Sequence, residues 1–387
     1  MTDISFSNVN DNTPVLVGNG QLTDKRGVNG YNYLEMLSEV SKKAILDCEA
    51  SINIHEHIDT VAVVRFVADT PHRDSATSNL WGYPNMPRSL SNSLNLVASN
   101  EIYTTTGGNS PQLALNELAN RIKDNQIDCA LLAGGEALDT FVGRLKEGLE
   151  ANWEDNPGGE PEVLGKSDDG TNDHEKLHGL FDPSAVYPLF ANALRSSNNQ
   201  TIREHMEDTS ELFESFSKVA SQNEFAWFPI HRSASEIAEV KPDNRMIGLP
   251  YTKYMNSIMR VNQSCAMIMM SAKKARELGI PESKWVFMYS GACLNDIWNV
   301  SDRSNYHSSP AIKACTHNVI DLAGVTVNDL DFLDLYSCFP SAVQIAMKEL
   351  SLEKNDPRGF TDTGGLPYFG GPGNAYVLNS VATMMNK

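Results

Sequence analysis

The chain has 387 residues, of which 41% are hydrophobic and 21% are charged, and its formal net charge is −18 at pH 7. The length allows two domains or one large layered core, and the strong negative charge excludes binding to the nucleic-acid backbone as the main activity. Six cysteines without a CxxC pair favour reduced thiols. Because the N-terminus lacks the features of a signal peptide and no apolar run reaches membrane-spanning length, we expect a cytoplasmic protein without a membrane span.

The first third of the chain predicts alternating strands and helices. Apolar runs indicate buried strands, and apolar residues at three- and four-residue spacing indicate helices. In chain order we predict a strand at 14–18, a helix at 33–48, strands at 59–64 and 101–106, a helix at 111–123 and a strand at 129–133. This alternation predicts an α/β fold in which helices cover a sheet.

Residues 139–249 differ in character from the rest of the chain. They contain 21 acidic and 10 basic residues and therefore carry −11 of the total charge. We predict an inserted segment with its own surface, with loops at 147–182 and helical structure at 184–223. An ordered insertion of this length is typical of a lid or a binding module.

After the insertion, strands and helices alternate again. We predict a strand at 265–270, a helix at 272–278, a strand at 285–290, a helix at 309–322, a strand at 331–335 and a helix at 341–350. The shared rhythm predicts two similar halves, the first formed by residues 1–138 and 250–274 and the second by 275–387. A glycine-rich stretch then leads into a helix at 374–385, where the chain stops. We therefore expect the second half to be incomplete and the chain to be a fragment.

Four segments of the chain resemble thiolases, and more narrowly the SCP2-thiolase-related bacterial proteins labelled acetyl-CoA acetyltransferase. They are TTTGGNSPQ at 104–112, PYTKYMN at 250–256, DLYSCFPSA at 334–342, and GGL with GGPGN between 364 and 374. The resemblance implies a five-layer αβαβα sandwich of two similar halves with an inserted loop domain. It also implies coenzyme A or an acyl-CoA as ligand, no covalently bound cofactor, and a homodimer paired through the strand at 101–106.

The resemblance also implies which positions should carry the chemistry. Thiolases use a cysteine at the start of a helix as nucleophile and a histidine in a Gly-His-Pro turn as its base. Here Gly108 stands at the cysteine position and Gly371 at the histidine position. Conventional thiolysis is therefore not expected, and the remaining catalytic candidates are Ser110, Tyr336, Ser337 and Cys338. The residues expected to contact the thioester are Gly107, Asn109, Asn256, Gly370, Gly373 and Asn374.

Two functions remain open at this point. One is an acyltransferase of altered mechanism, in which oxyanion stabilisation and positioning replace the lost pair. The other is a non-catalytic acyl-CoA-binding protein. The residues at 106–111 also fit an ordinary strand-to-helix turn in which Ser110 is the cap and Pro111 the first helical residue. The phosphates of coenzyme A would need basic partners, and candidates in the insertion are Arg195, Arg203, Arg232, Lys241 and Arg245.

A remote third alternative is a zinc hydrolase. The segment His174-Glu175-Lys176-Leu177-His178 has the spacing of the zinc-protease motif, in which two histidines bind metal and the glutamate is the base. However, Gly170, Gly179 and Pro183 confine a helix here to about two turns, and no third ligand is defined by spacing. A solvated loop without metal is the expected structure.

Overall fold

The structure is a computed structural model that describes residues 6–69, 82–166 and 170–387. The N-terminal residues 1–5, on which the signal-peptide prediction rests, lie outside this part. The chain forms two compact units: a first unit of Met1–Ser167, Arg260–Tyr289 and Pro372–Lys387, and a second unit of Asp168–Met259 and Ser290–Gly371. These packing units do not test the predicted division into two halves and an insertion, which stays a prediction.

The described residues contain strands and helices along the whole chain. The strands are β1 Pro14–Thr23, β2 Thr60–Val63, β3 Asn100–Thr104, β4 Cys129–Ala137, β5 Glu162–Leu164, β6 Met246–Gly248, β7 Tyr251–Thr252, β8 Asn262–Ser271 and β9 Val286–Phe287. The helices are α1 Tyr33–Asp47, α2 Met86–Leu94, α3 Ser110–Lys123, α4 Leu138–Lys146, α5 Asp173–Leu177, α6 Pro183–Ser197, α7 Ile202–Ala220, α8 Ala234–Ala238, α9 Ala272–Glu277, α10 Pro310–Ala323, α11 Pro340–Glu349 and α12 Tyr376–Met385.

The first unit is built on one mixed sheet with the strand order β5-β3-β2-β4-β8-β1-β9. Strands β5, β3, β2 and β4 run parallel to one another. Strand β8 pairs antiparallel with β4 and with β1, and β1 pairs antiparallel with β9. The predicted α/β fold is therefore confirmed. The parallel part matters for function, because the loops at the carboxyl ends of parallel strands commonly form ligand sites.

Both faces of this sheet are buried, which explains its nearly continuous apolar strands. In β4, Cys129, Leu131 and Ala133 belong to the core on the face that α1 and α2 cover. The alternate residues Ala130 and Leu132 belong to the core on the face that α3 and α12 cover. This two-residue alternation is the geometry of a strand, and it fixes α3 and its preceding turn against the sheet.

The second unit consists mainly of helices. One small core joins Phe190 and Leu194 of α6 with Val300 and with Ile345 of α11. Strands β6 and β7 form a separate two-stranded sheet. Within the described residues, no helix of either unit is both long enough and apolar enough to cross a membrane.

Several predicted elements differ from the structure. The predicted strand at 331–335 is not formed: Leu335 N donates to Phe360 O, but the segment has no strand partner in the described chain. The strand predicted at 285–290 is reduced to β9. The loops predicted at 147–182 contain β5 and α5. The helical structure predicted at 184–223 is formed by two helices, α6 and α7, divided where Asn199 has a positive φ of 55°.

Candidate functional site

The turn that precedes α3 contains Gly108, which the resemblance places at the cysteine position of thiolases. Asn109 is the N-cap, so Ser110 is the first helical residue rather than the predicted cap. The Ser110 hydroxyl is buried and donates to Thr105 O at 2.7 Å, and Ser110 N donates to Gly107 O at 3.0 Å. Because this hydroxyl bonds to a backbone carbonyl and not to a base, Ser110 serves the turn and is a poor nucleophile.

Asn374 ties this turn to the neighbouring part of the first unit. Its side-chain oxygen accepts from Gly107 N at 3.1 Å, and its side-chain nitrogen donates to Arg65 O at 2.6 Å. The structure thus brings Gly107 and Asn374 together, as candidate site residues, from positions far apart in the sequence. Both polar ends of the Asn374 amide are engaged within the protein, so its contribution is to position the turn.

Among the described residues, the backbone N–H groups of Gly108 and Asn109 have no hydrogen-bond partner like the one that Gly107 N has in Asn374. In the part of the chain that the structure describes, the N–H groups of Gly108 and Asn109 have no hydrogen-bond acceptor. They lie at the N-terminus of α3, where the helix dipole favours negative charge. Gly108 is not among the glycines with positive φ. The turn therefore has two backbone N–H donors that no described residue uses.

A buried carboxylate beside Gly373 was not identified from the sequence. Glu136, at the end of β4, accepts from Val67 N at 2.7 Å and from the Tyr33 hydroxyl. Burial, followed by the nearby charge of Glu136, raises the pKa of Tyr33 well above its usual value. Gly373 has a φ of +52°, and a Cβ there would collide with Glu136 Oε1. The signal in the sequence was an acidic residue that ends an apolar strand run.

The strand that the resemblance assigned to homodimer contacts is paired on both edges within the chain. Residues of β3 pair with β2 on one side and with Glu162–Leu164 of β5 on the other. The predicted route to a dimer through this strand edge is therefore occupied in the structure. The homodimer itself stays a prediction.

In the second unit, the structure brings together the candidate residues of three separate segments. Ser337 Oγ accepts from Leu366 N at 3.3 Å, and Cys338 O accepts from Ser257 N at 3.2 Å. The adjacent Asn256 donates its side-chain N–H to Thr252 O at 2.7 Å. Its amide nitrogen is thus used to hold the local loop.

Cys338 is in an environment that suppresses thiolate formation. The side chain is buried, and burial raises the pKa of its thiol to about 12 although a hydrogen bond with the Tyr187 hydroxyl opposes the rise. Tyr187 in turn stacks on Phe339 with ring centroids 4.2 Å apart. Burial also raises the pKa of Tyr336. Since the thiolate is the reactive form of cysteine, Cys338 lacks the main property of a nucleophile.

Gly371 is the residue that the resemblance places at the histidine position of thiolases. Gly371 N donates to Ile258 O at 2.8 Å, which fixes the backbone. A Cβ built on Gly371 would collide with Ser257 Oγ. A side chain at this position therefore requires the Ser257 side chain to turn away. The neighbouring Gly370 has a φ of +119°, which favours glycine.

The zinc-hydrolase alternative is not supported by the local geometry. Glu175 is the capping-box residue of the five-residue helix α5 and accepts from Asn172 N at 2.8 Å and Ser301 N at 2.6 Å. These hydrogen bonds, that of Ser301 first, lower the pKa of Glu175 to about 2, which is unsuitable for a base at neutral pH. The described residues contain no group of three or more side chains placed to hold a metal ion.

Two of the five basic candidates lie near each other. The Arg232 guanidinium lies 4.0 Å from the centre of the Tyr254 ring, and the charges of Lys241 and Arg232 both help to lower the pKa of Asp243, after its hydrogen bond with Tyr254. Arg203, in contrast, is exposed and paired with Glu207 at 2.8 Å. Arg195 donates to Gln200 O and Asn192 Oδ1, and no salt bridge involves Arg245 in the described part.

Comparison with solved structures decides the family. A monomeric SCP2-thiolase-like protein type 1 from Mycobacterium smegmatis superposes with a TM-score of 0.80 and 31% sequence identity, over 98% of this chain and 72% of that one. The chain belongs to the thiolase superfamily as an SCP2-thiolase-like protein. Neither family models nor curated proteins give a match.

Two further structures share the fold of this thiolase-like chain at lower identity. An Ltp2-ChsH2(DUF35) aldolase has a TM-score of 0.66 and 14% identity, over 96% of this chain and 88% of that one. An acetyl-CoA acetyltransferase from Syntrophomonas wolfei has a TM-score of 0.65 and 16% identity, over 97% and 92%. At this identity they support the thiolase-like fold alone.

Proposed function

We propose that this thiolase-like protein binds a coenzyme A thioester without performing thiolysis. The observation that carries the proposal is the environment of the remaining nucleophile candidates: the buried Ser110 hydroxyl donates to Thr105 O, and the Cys338 thiol is buried. A reacting thiolase site needs both a nucleophile and a base. Gly108 supplies neither a thiol nor a hydroxyl, and the buried thiol of Cys338 stays protonated at neutral pH.

The unpaired amides of Gly108 and Asn109 support binding of the thioester carbonyl. Two N–H groups at the start of a long helix favour a partly negative oxygen. A hydrogen bond from these N–H groups to the thioester oxygen does not require a nucleophile. The two N–H groups would therefore bind the thioester even without the cysteine of thiolases. Binding by this turn is therefore separable from catalysis.

Arg232 and Lys241 are the proposed partners of the coenzyme A phosphates. The charges of Arg232 and Lys241 both affect the pKa of Asp243 and of Tyr254, so the two cations lie near the same residues. A diphosphate that binds to Arg232 would therefore also feel the charge of Lys241. Arg232 stacks on Tyr254, which holds the planar guanidinium in place and leaves its edge for a phosphate. These two residues would contribute affinity for the phosphates of the ligand.

Titration calorimetry with coenzyme A and acetyl-CoA tests the proposal. We expect saturable binding to the unaltered chain and at least about tenfold weaker binding by the double variant Arg232→Ala/Lys241→Ala, or about 1.4 kcal/mol. Arg203→Ala is the matched control, because Arg203 is exposed and pairs with Glu207 at 2.8 Å, whereas the pair of Lys241 with Glu239 is longer at 3.7 Å. The affinity of this control variant should be unchanged. Absence of binding by the folded, unaltered chain would refute the proposal.

The molecular state of the protein is part of the same proposal. The M. smegmatis relative is described as monomeric, and we extend that description to this chain in place of the homodimer. A cytoplasmic location and a role in the metabolism of lipid-derived acyl groups are consistent with a coenzyme A thioester as ligand.

A further inference from the structure

We infer that Cys293 and Cys315 form a thiol pair that reacts with a low-molecular-weight disulfide and closes into an internal disulfide bond. Both residues belong to the second unit. Neither lies in the four segments that resemble thiolases, and neither takes part in the proposed binding of a thioester. The thiol pair is therefore a separate modification site.

The segment that contains Cys293 is attached to α10 at two points. At one point, the Ser290 hydroxyl donates to Val319 O at 2.9 Å, near the end of the helix. At the other, the Asp296 carboxylate accepts from Ala311 N at 3.0 Å and from the hydroxyl of the preceding N-cap serine at 2.6 Å, at the start of the helix. The segment therefore runs along α10 in the opposite direction.

These two attachments place Cys293 beside the middle of α10. Cys293 is midway between the two attached residues of its segment. Cys315 is midway between Ala311 and Val319, the attached residues of the helix. The pKa of Cys315 reflects the same placement: burial raises it most, a hydrogen bond with the backbone of Leu294 lowers it, and the nearby Cys293 raises it. Because Leu294 is bonded directly to Cys293, the two sulfur atoms lie on the same side of the helix and close to each other.

The thiol pair differs from the other cysteines in its access to solvent. Cys293 is exposed and Cys315 is partly exposed. The remaining four thiols are buried, those of Cys48, Cys129, Cys265 and Cys338. Thiol–disulfide exchange requires that the reagent reach the attacking sulfur, and an accessible cysteine beside a second cysteine is typical of redox-sensing sites. Cys293 is thus the expected attacking residue and Cys315 the resolving one.

The reaction consists of two thiol–disulfide exchanges. The Cys293 thiolate attacks one sulfur of the small disulfide, whose S–S bond breaks and releases one small thiolate. The Cys315 thiolate then attacks Sγ of Cys293, forms the internal bond and releases the second small thiolate. The two protons lost by the protein thiols pass to the two small thiolates. The protein is oxidised by two electrons, and one small disulfide is reduced to two thiols.

The internal bond would attach α10 at a third point. No residue of this helix is fully buried, and elements with few buried contacts open locally at a low cost in free energy. A covalent link at the middle of the helix restricts such opening. We therefore expect the amides of α10 to exchange hydrogen at least about tenfold more slowly in the oxidised chain than in the reduced chain.

Intact-mass analysis and non-reducing peptide mapping after treatment with glutathione disulfide test the inference. The unaltered chain should lose two hydrogen atoms, retain no glutathione and contain the Cys293–Cys315 link. Cys315→Ser should instead retain one glutathione on Cys293. Cys315→Ser/His317→Cys is the matched control: it moves the second thiol about 200° around α10, to the exposed position of His317. This control should also retain glutathione and form no link.

Cys293→Ser provides a second test if the Cys315→Ser variants do not fold. It should take up glutathione at least about tenfold more slowly than the unaltered chain reacts, because Cys315 is less exposed and its thiol pKa is raised. A folded unaltered chain that keeps both thiols, or that stops with glutathione on Cys293, would overturn the inference. So would a link that forms equally fast in the control, or α10 amides that exchange at the same rate in the oxidised and the reduced chain.

Discussion

At the residue scale, the candidate site shows how burial changes the meaning of a residue type. Cys338 lies in a loop that resembles a thiolase loop, yet burial raises the pKa of its thiol to about 12. The hydroxyl of Ser110 donates to a backbone carbonyl. A cysteine or serine that is exposed and hydrogen-bonded to a general base would be a nucleophile. Here they support the packing of the loops that surround them.

The reactivity of Cys338 follows from this environment. At pH 8, iodoacetamide should modify the exposed Cys293 at least about a hundredfold faster than Cys338, because the raised pKa leaves very little thiolate. Tyr187→Phe should not accelerate the reaction, since the hydrogen bond with Tyr187 lowers rather than raises the pKa of Cys338. Peptide mass spectrometry measures both rates; equal rates would contradict the assigned environment.

At the element scale, short elements depend on partners that are distant in the sequence. Strand β5 pairs with β3, which is about sixty residues earlier in the chain, and α5 is closed by a hydrogen bond from Ser301 N to Glu175. Both lie in a stretch rich in glycine, aspartate and asparagine, for which local pattern predicts loops. Their formation is decided by tertiary contacts.

Glu175→Gln tests the role of Glu175 in capping α5. We expect a loss of roughly 1–2 kcal/mol in the free energy of unfolding at pH 7, because a buried carboxylate accepts two backbone hydrogen bonds. Its folded pKa of about 2 lies below the ordinary glutamate value of 4.5. The contribution is therefore full above pH 4.5 and is lost as pH falls towards 2.

Urea unfolding at pH 7, 4.5 and 3 measures this pH dependence. The difference between the unaltered chain and Glu175→Gln should be largest at pH 7 and smallest at pH 3. Glu224→Gln, at an exposed position, is the control and should show no such trend. A difference for Glu175→Gln that does not change with pH would argue against the assigned hydrogen bonds.

The long sheet strands could be predicted from the sequence because both of their faces are buried, which requires runs of apolar residues. Strands β4 and β8 contain the apolar runs 129–133 and 265–270, and both faces of these runs are covered. The predicted strand at 331–335 has only three apolar residues, and no local pattern can supply the neighbouring strand that a ladder requires. Ser257 beside Gly371 and Glu136 beside Gly373 were also missed, because both contacts join distant segments.

At the scale of the whole molecule, the chain shares the thiolase-like fold of the SCP2-thiolase-like protein from Mycobacterium smegmatis. In the first unit, the N–H groups of Gly108 and Asn109 have no acceptor among the described residues. In the second unit, a Cβ on Gly371 would meet Ser257 Oγ. We propose that a thioester is bound without being cleaved, because cleavage needs a nucleophile and a base in addition to the binding groups.

The most direct test is an assay with acetoacetyl-CoA and free coenzyme A, combined with titration calorimetry and intact-mass analysis of the same preparation. The account predicts saturable binding, no cleavage and no acyl adduct on the protein. Cys338→Ala is the control, and any cleavage that persists unchanged in this variant excludes Cys338 as its nucleophile. Any cleavage of acetoacetyl-CoA by the purified chain, or an acyl adduct on Cys338 or Ser110, would contradict the proposal.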